Sequence, residues 1–374
     1  MRILHTSDLH LGRSLLEESL YLDQRHMLLN IIKIIDDYKV DAIIIAGDVY
    51  DKNVPSIEAV NMLNDFLNKL VERGIKTFII SGNHDSNDRL KYGRELFSKV
   101  NIHIEVEYKG RISKYTYGDV CIYLLPFMKP FHLKNFISDK EYEEIKTSQD
   151  MISWILAHEE IDDSKKNILV AHQFVISGNN SIDDTHLKDF NVGTIDAIDS
   201  HVFDDFDYVA LGHIHKGYFV EGNKIRYSGS PLKYSFNDIG NFNSVVILDT
   251  DNMETIVVEI EPLRKLRVIR GYFNDIMKLN DSDDLIRIEL NDLDNLISPM
   301  EVLKGKFPNA LSLGFVSKQD GNNASDYEMV KMDSSLELFN NFYEVQNGCK
   351  MSDDEYKYFE KIVDLAKEDD KCES

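Results

Sequence analysis

The sequence predicts a layered α/β fold, with mixed sheets flanked by helices, then a small α+β unit and a helical pair at the C-terminus. Three observations predict it. Short apolar runs alternate with stretches of helical periodicity through the first half of the chain. Strands then crowd closer together, as in antiparallel pairs. Near residue 265 the pattern restarts as a compact strand–helix–strand unit.

The elements can be justified in order. "RILHTSD", "DAIIIAGD" and "IKTFIISGNHD" are apolar, branched runs that turn polar abruptly, the pattern of buried strands. Between them, residues 23–39 and 56–73 carry apolar side chains at helical spacing, and Ser56 after Pro55 marks a helix start, with Ala59 beyond it. Past residue 100, "RISKYTYGDVCIYLLP", "KIRYSG", "NSVVILD" and "TIVVEIEPL" are strands close in sequence, and one long helix is expected over roughly 139–160. From 265 to about 320 come strand, helix, "LIRIEL", the helix "SPMEVLKGKF" and "ALSLGFV". The polar stretch "SKQDGNNASDYE" reads as a linker. Helical segments over 334–346 and 352–367 close the chain, split by Gly348.

Composition narrows the function classes. A chain of 374 residues with 43% hydrophobic content is globular, and no apolar run approaches a membrane span. The first strand begins at Arg2, which leaves no room for a signal peptide, and Cys121, Cys349 and Cys372 show no paired spacing. The expectation is a cytoplasmic protein without a cysteine-based metal site. A net charge of −23 weighs against nucleic-acid binding by this chain alone, since phosphates are gripped by Lys and Arg. Bound divalent cations would offset part of it, and some of the acidity sits in the tail "KEDDKCES".

Chemistry concentrates at strand ends. "HTSDLH" releases Asp8 and His10; "AGDVYD" releases Asp48 and Asp51; "SGNHD" releases Asn83, His84 and Asp85. "ILVAHQ" ends in His172, and "ALGHIH" in His213 and His215. In layered α/β sheets, sites form where strands end at their carboxyl edge, so these residues should gather at one rim. Residues two apart on an extended chain point the same way, which lets His213 and His215 converge. A set of Asp, His and Asn without Cys suits Mn²⁺, Fe²⁺ or Zn²⁺. Gly47, Gly82 and Gly212 each precede a candidate ligand and are expected to let the backbone turn tightly. Any one of these motifs is weak; five in series are not.

The series D-x-H, G-D-x-x-D, G-N-H-D, a lone His after a strand, and G-H-x-H resembles the calcineurin-like metallophosphoesterases. With "MRILHTSDLHLG", "VDAIIIAGDVYD", "SGNHDS" and "YSGSPLKYSF", the chain is most similar to the bacterial SbcD family of nuclease subunits. The likeness covers most of the chain and is strongest over residues 1–240. It implies a metallophosphoesterase sandwich over 1–264, a capping domain over 265–322, and a linker with C-terminal helices over 323–374. It implies two divalent ions, most often Mn²⁺, with Mg²⁺, Fe²⁺ or Zn²⁺ as other choices. Asp8, His10 and His215 would hold one ion, Asn83, His172 and His213 the other, and Asp48 would bridge them. His84 would contact the scissile phosphate, with the Asp51 carboxylate orienting its imidazole. The implied partners are DNA and an SbcC-type coiled-coil ATPase, two copies of each chain, with the ATPase bound by the terminal helices.

Competing readings have their own signals. Another phosphodiesterase or a phosphatase, acting on a small nucleotide or a phosphoprotein, could use the same core. Protein phosphatases, however, tend to show G-D-x-x-D-R-G and G-N-H-E, where this chain has "GDVYDKN" and "GNHDS". A scaffold without activity has no need of seven intact ligand candidates and His84. Asp85 is expected to cap its loop rather than bind metal. His5 is expected in the core, and His26, His103, His132, His158, His186 and His201 carry no assigned chemistry. Arg13, Lys52, Arg89 and Lys216 lie just past the motifs and read equally well as solvated loop charges.

Overall fold

The computed structural model describes residues 1–177, 197–291 and 298–315, together with Met351, Ser352, Tyr356 and Phe359. Two compact units divide the chain, Met1–Val316 and Ser317–Ser374, and the elements that follow belong to the first. The expected terminal helices fall outside the described residues, apart from those last four positions.

Strand β1 (Arg2–Thr6) is followed by helix α1 (Tyr21–Tyr38), β2 (Ala42–Ala46), α2 (Ile57–Glu72), β3 (Lys76–Ile80) and β4 (Ile102–Glu105). All four strands run parallel. Helix α2 starts where the sequence places it: the Ser56 hydroxyl accepts from the Ala59 amide at 3.2 Å, satisfying one of the free N–H groups of the first turn. The chain then builds β5 (Ser113–Tyr117), β6 (Val120–Leu125), α3 (Ser148–Ala157), β7 (Lys166–His172), β8 (Tyr208–Gly212), β9 (Tyr218–Glu221) and β10 (Ile225–Tyr227). These strands make a second sheet in the order β9-β10-β8-β7-β6-β5, with β6, β7, β8 and β10 parallel. Strands β11 (Ser244–Asp249) and β12 (Glu254–Glu259) return to the first sheet as an antiparallel pair beside β1.

The long helix expected over 139–160 is interrupted. A short helix spans Asp139–Tyr142, and α3 begins at Ser148 because Thr147 and Asp150 form a reciprocal capping box. That box stops the earlier helix from running through.

Alternation along each strand divides the apolar residues between separate cores. Ile44 and Ala46 of β2, Phe78 and Ile80 of β3, Ile168 and Val170 of β7, and Tyr208 and Ala210 of β8 pack between the two sheets. Ile43, Ile45 and Ile79 face α1 and α2 instead, while Leu169, Ala171, Val209 and Leu211 face α3 on the far side. Sheets covered on both faces read as continuous apolar runs, which is why "AIIIA" and "ILVA" show no polar alternation.

His5 is fully buried among these layers. Its Nε2 donates to the Leu211 carbonyl at 3.2 Å, which leaves Nδ1 to accept from the Tyr208 hydroxyl at 3.0 Å. The imidazole is thus a satisfied neutral core group, as expected from its place inside β1.

A third sheet of three parallel strands, β13 (Leu266–Gly271), β14 (Leu285–Leu290) and β15 (Ala310–Phe315), is connected through α4 (Phe273–Ile276) and α5 (Pro299–Lys304). It has its own core of Ile269, Ile276, Ile286, Ile288, Leu290, Leu303 and Phe307. Just before β13, the Arg264 guanidinium donates to Glu18 at 2.7 Å and, through Nε, to the buried Asp23 at 3.2 Å. That clamp ties the start of the third sheet to α1. No helix among the described residues is long and apolar enough to cross a membrane.

Candidate metal centre

Parallel strands from both sheets release their last residues at one rim. The loops after β1 and β2 run together, with the Asp8 amide donating to the Gly47 carbonyl and the His10 amide to the Asp48 carbonyl, each at 3.0 Å. From the second sheet, His172 reaches across so that its Nδ1 lies 2.7 Å from the Ala46 carbonyl. A carbonyl only accepts, so Nδ1 carries a proton and Nε2 is the ring atom turned toward the cluster.

All seven ligand candidates meet there. Asp8, His10 and His215 bring one ligand atom each to within 4.8 Å of one another, and so do Asp8, Asp48 and His172. The Nε2 atoms of His10 and His215 are 3.1 Å apart. The Asn83 side-chain oxygen lies 3.2 Å from His172 Nε2 and 3.1 Å from His213 Nδ1. Asp48 Oδ2 sits between the two groups, 3.7 Å from His10 Nε2 and 3.5 Å from His172 Nε2. His213 and His215 therefore serve different sides of one cluster.

The backbone is strained at the same residues. Asp8, His10, Asp48 and His213 have φ values of 54°, 41°, 50° and 98°. Non-glycine residues rarely adopt such angles, and they persist where surrounding structure fixes them, characteristically at functional sites. The glycines answer two demands. Gly47 is left-handed at φ 88°, as a tight turn requires, and a Cβ there would also collide with His172 Nδ1. Gly82 and Gly212 are not left-handed and meet only the demand for space, since a Cβ at 82 would lie 2.8 Å from Asp48 Cγ and one at 212 would lie 2.7 Å from His172 Nδ1. Sequence alone does not separate these two uses.

Electrostatics at the rim are set by burial first. Asp8, His10 and His172 are at most 1% exposed and Asp48 is 3% exposed. Burial raises the Asp8 carboxyl above its usual range. Burial also opposes charge on Asp48, but the adjoining His172 outweighs it and holds Asp48 low. The same contact overcomes burial at His172 and lifts it to about 9. Burial keeps His10 well below the usual imidazole range, and burial with the nearby His172 brings His213 down to about 3.

The Asp48 carboxylate finds its compensating charge in His172, since burying charge without a partner is costly. Arg13 turns elsewhere: its guanidinium donates to Asp51 at 2.9 Å and lies over the Tyr234 ring. His10 Nδ1 is buried without a hydrogen-bond partner among the described residues, 3.8 Å from an Asp51 carboxylate oxygen. An ion on His10 Nε2 would place a proton on Nδ1 facing that carboxylate, the arrangement in which metal-binding histidines are held. The donor set and the geometry both fit divalent cations.

His84 is at the edge of the cluster, and here the expectation about Asp51 is corrected. The His84 Nδ1 lies 3.1 Å from the Asp51 main-chain carbonyl. The Asp51 carboxylate turns instead to Arg13 and the back of His10, because the guanidinium is its strongest available partner. Asp85 caps its loop, accepting from the amides of Val49, Tyr50 and Gly82 at 3.1, 2.9 and 2.9 Å.

Sequence reasoning passes over several groups in this site. Ser7 donates to the Asp8 carboxylate and meets Ser228 at 2.7 Å. Tyr234 donates to the Leu9 carbonyl, with its ring 5.4 Å from that of His10. Asp238 Oδ2 lies 3.7 Å from His215 Nδ1. All but Ser7 come from "YSGSPLKYSF" and its continuation, a stretch whose only sequence signal is resemblance.

Residues 1–217 match the family model of the calcineurin-like phosphoesterases, and residues 262–347 match that of the type 5 capsule protein repressor C-terminal domain. The chain is 33% identical over 353 residues to the SbcD component of nuclease SbcCD from Staphylococcus epidermidis, covering 92% of each chain. It is 33% identical over 375 residues to the component of the same name from Staphylococcus saprophyticus, covering 97% of this chain and 98% of that one.

The chain belongs to the SbcD family.

As a member of that family, it is a metal-dependent nuclease, a hydrolase of phosphodiester bonds built on the calcineurin-like α/β fold. The phosphatase reading is not favoured. Solved structures overlap loosely; a novel archaeal phosphodiesterase aligns at 15% identity and a TM-score of 0.34, over 70% of this chain and 100% of that one. So distant an overlap adds no weight to either reading.

Proposed function

We propose that this SbcD-family member cuts DNA, shortening duplex ends and nicking single strands at irregular structures, with two Mn²⁺ ions at the rim described above. The observation that carries this reading is the convergence of seven Asp, His and Asn side chains from five strand ends. Asp8, His10 and His215 would hold one ion, and Asn83, His172 and His213 the other, with Asp48 between them. When bound, such ions polarise the phosphate and make water nucleophilic near neutral pH.

The chain's own residues do the rest. The Asp51 carbonyl accepts from His84 Nδ1 and orients the ring, so that Nε2, when it too carries a proton, would contact the scissile phosphate and give that proton to the leaving oxygen. The Ala46 carbonyl orients the His172 ring in the same way. The buried walls under the rim exclude water from beneath the carboxylates.

The proposal extends to partners. An SbcC-type coiled-coil ATPase would be bound through residues 323–374, in an assembly of two plus two, in cytoplasmic DNA repair and recombination. A chain of net charge −23 is a poor grip for DNA, so the ATPase would contribute much of the binding.

The test is cleavage of a labelled linear duplex by the purified chain with Mn²⁺, with Mg²⁺ and with chelator, alongside a small chromogenic phosphodiester. Mn²⁺-dependent shortening of the DNA is expected. Turnover of the small ester with DNA left untouched, even with the ATPase present, would overturn the choice of substrate.

A further inference from the structure

The loop after β10 wraps one side of the metal centre. Its main chain is anchored to the His213–Gly217 turn, with the Ser230 amide donating to the His215 carbonyl at 3.0 Å. Gly229, left-handed at φ 74°, passes so close that a Cβ would lie 2.9 Å from that same carbonyl. The loop ends at Asp238, which is 8% exposed. Asp238 Oδ2 accepts from the amides of Tyr234 and Ser235 at 3.1 and 2.9 Å, so the carboxylate is fixed before it meets any imidazole. It then stands 3.7 Å behind His215 Nδ1, on the far side of the ring from the Nε2 that faces His10.

We propose that Asp238 is a positioning residue for His215 within the Asp8–His10–His215 group. The inference rests on the two-ion reading above. A carboxylate behind Nδ1 holds the proton there, keeps the Nε2 lone pair toward His10 and raises its basicity. His172 is backed by the neutral Ala46 carbonyl, and Asn83 is a neutral ligand candidate.

The experiment is Mn²⁺ binding to the full chain by equilibrium dialysis, with electron paramagnetic resonance to distinguish a coupled pair from isolated ions. Asp238→Asn keeps an oxygen for the Tyr234 and Ser235 amides but removes the charge. It should weaken one ion by about 10- to 100-fold and leave the other within about twofold, with loss of the pair signal at Mn²⁺ levels that fill the wild type. Asp238→Glu should recover part of the affinity, which a merely structural role would not predict. In a His215→Ala background, Asp238→Asn should have no further effect. Wild-type binding of both ions by Asp238→Asn, or equal weakening of both, would overturn the assignment. A wild-type chain that takes up no Mn²⁺ would overturn the two-ion reading itself.

Discussion

A single methyl group at position 82 should disable the centre without replacing any ligand candidate. A Cβ on Gly82 would lie 2.8 Å from Asp48 Cγ, and closer still to Asp48 Oδ1 and the Asp48 amide nitrogen. Carbon atoms settle at about 3.5–4.0 Å, so something must move by about 1 Å. The side chain could rotate away, but the amide is main chain, held where Asp48 sits at φ 50°. The movement therefore falls on Asp48 itself, which stands 3.7 Å from His10 and 3.5 Å from His172. Misplacing a catalytic group by about 1 Å costs about 100-fold in rate. The expected result for Gly82→Ala is a loss of that order in Mn²⁺-dependent DNA cleavage, with weakened Mn²⁺ uptake in dialysis. Overpacking should lower stability by about 1–3 kcal/mol, read from denaturant melts. Gly240→Ala, with open space around the new methyl, is the control and should behave as wild type. A Gly82→Ala chain that loads Mn²⁺ and cuts DNA like the wild type would refute the steric argument.

Two further outcomes follow from the geometry. His84→Gln should bind Mn²⁺ as the wild type does while cleavage falls by about 10²–10⁴, and full activity in that variant would remove His84 from the mechanism. His5, buried and near the Arg226 charge, is held down to about 3, so the folded chain keeps it neutral while the unfolded chain protonates it below its ordinary value of 6.5. Stability is then lost as pH falls from 6.5 toward 3; between pH 6.5 and 4.5 the loss from His5 is about 2 kcal/mol. His5→Gln should show a shallower decline in urea midpoints over that window, and an unchanged slope would count against this account.

The metal centre is legible in the sequence because its candidates share one rule. Each follows an apolar strand, and strands covered on both faces are the easiest to see in a sequence. "AIIIAGD" shows a run that can only be interior, then a glycine, then a charge, and the charge must emerge where the strand stops. Groups in the same site without that frame are not legible. Asp238 lies beyond a hairpin, in a turn where its bonds to Tyr234 and Ser235 already give it an ordinary capping role. Nothing local marks its approach to His215, which depends on the Ser230–His215 contact between two loops.

The carboxylate of Asp51 makes the same point from the other direction. Its position in G-D-x-x-D marks it as part of the rim but does not name its partner, because partner choice is a competition decided in three dimensions. His84 needs only an acceptor, and the Asp51 carbonyl provides one at 3.1 Å. That frees the carboxylate for Arg13, whose guanidinium is supplied by the loop after β1 and held over the Tyr234 ring. The result places a negative charge 3.8 Å behind His10 Nδ1, as Asp238 places one 3.7 Å behind His215 Nδ1. Both imidazoles of that half of the cluster thus have a carboxylate at their backs, while His172 has a carbonyl. Spacing in the sequence identifies which residues reach the rim; the loops that cross behind it decide how strongly each can hold a cation.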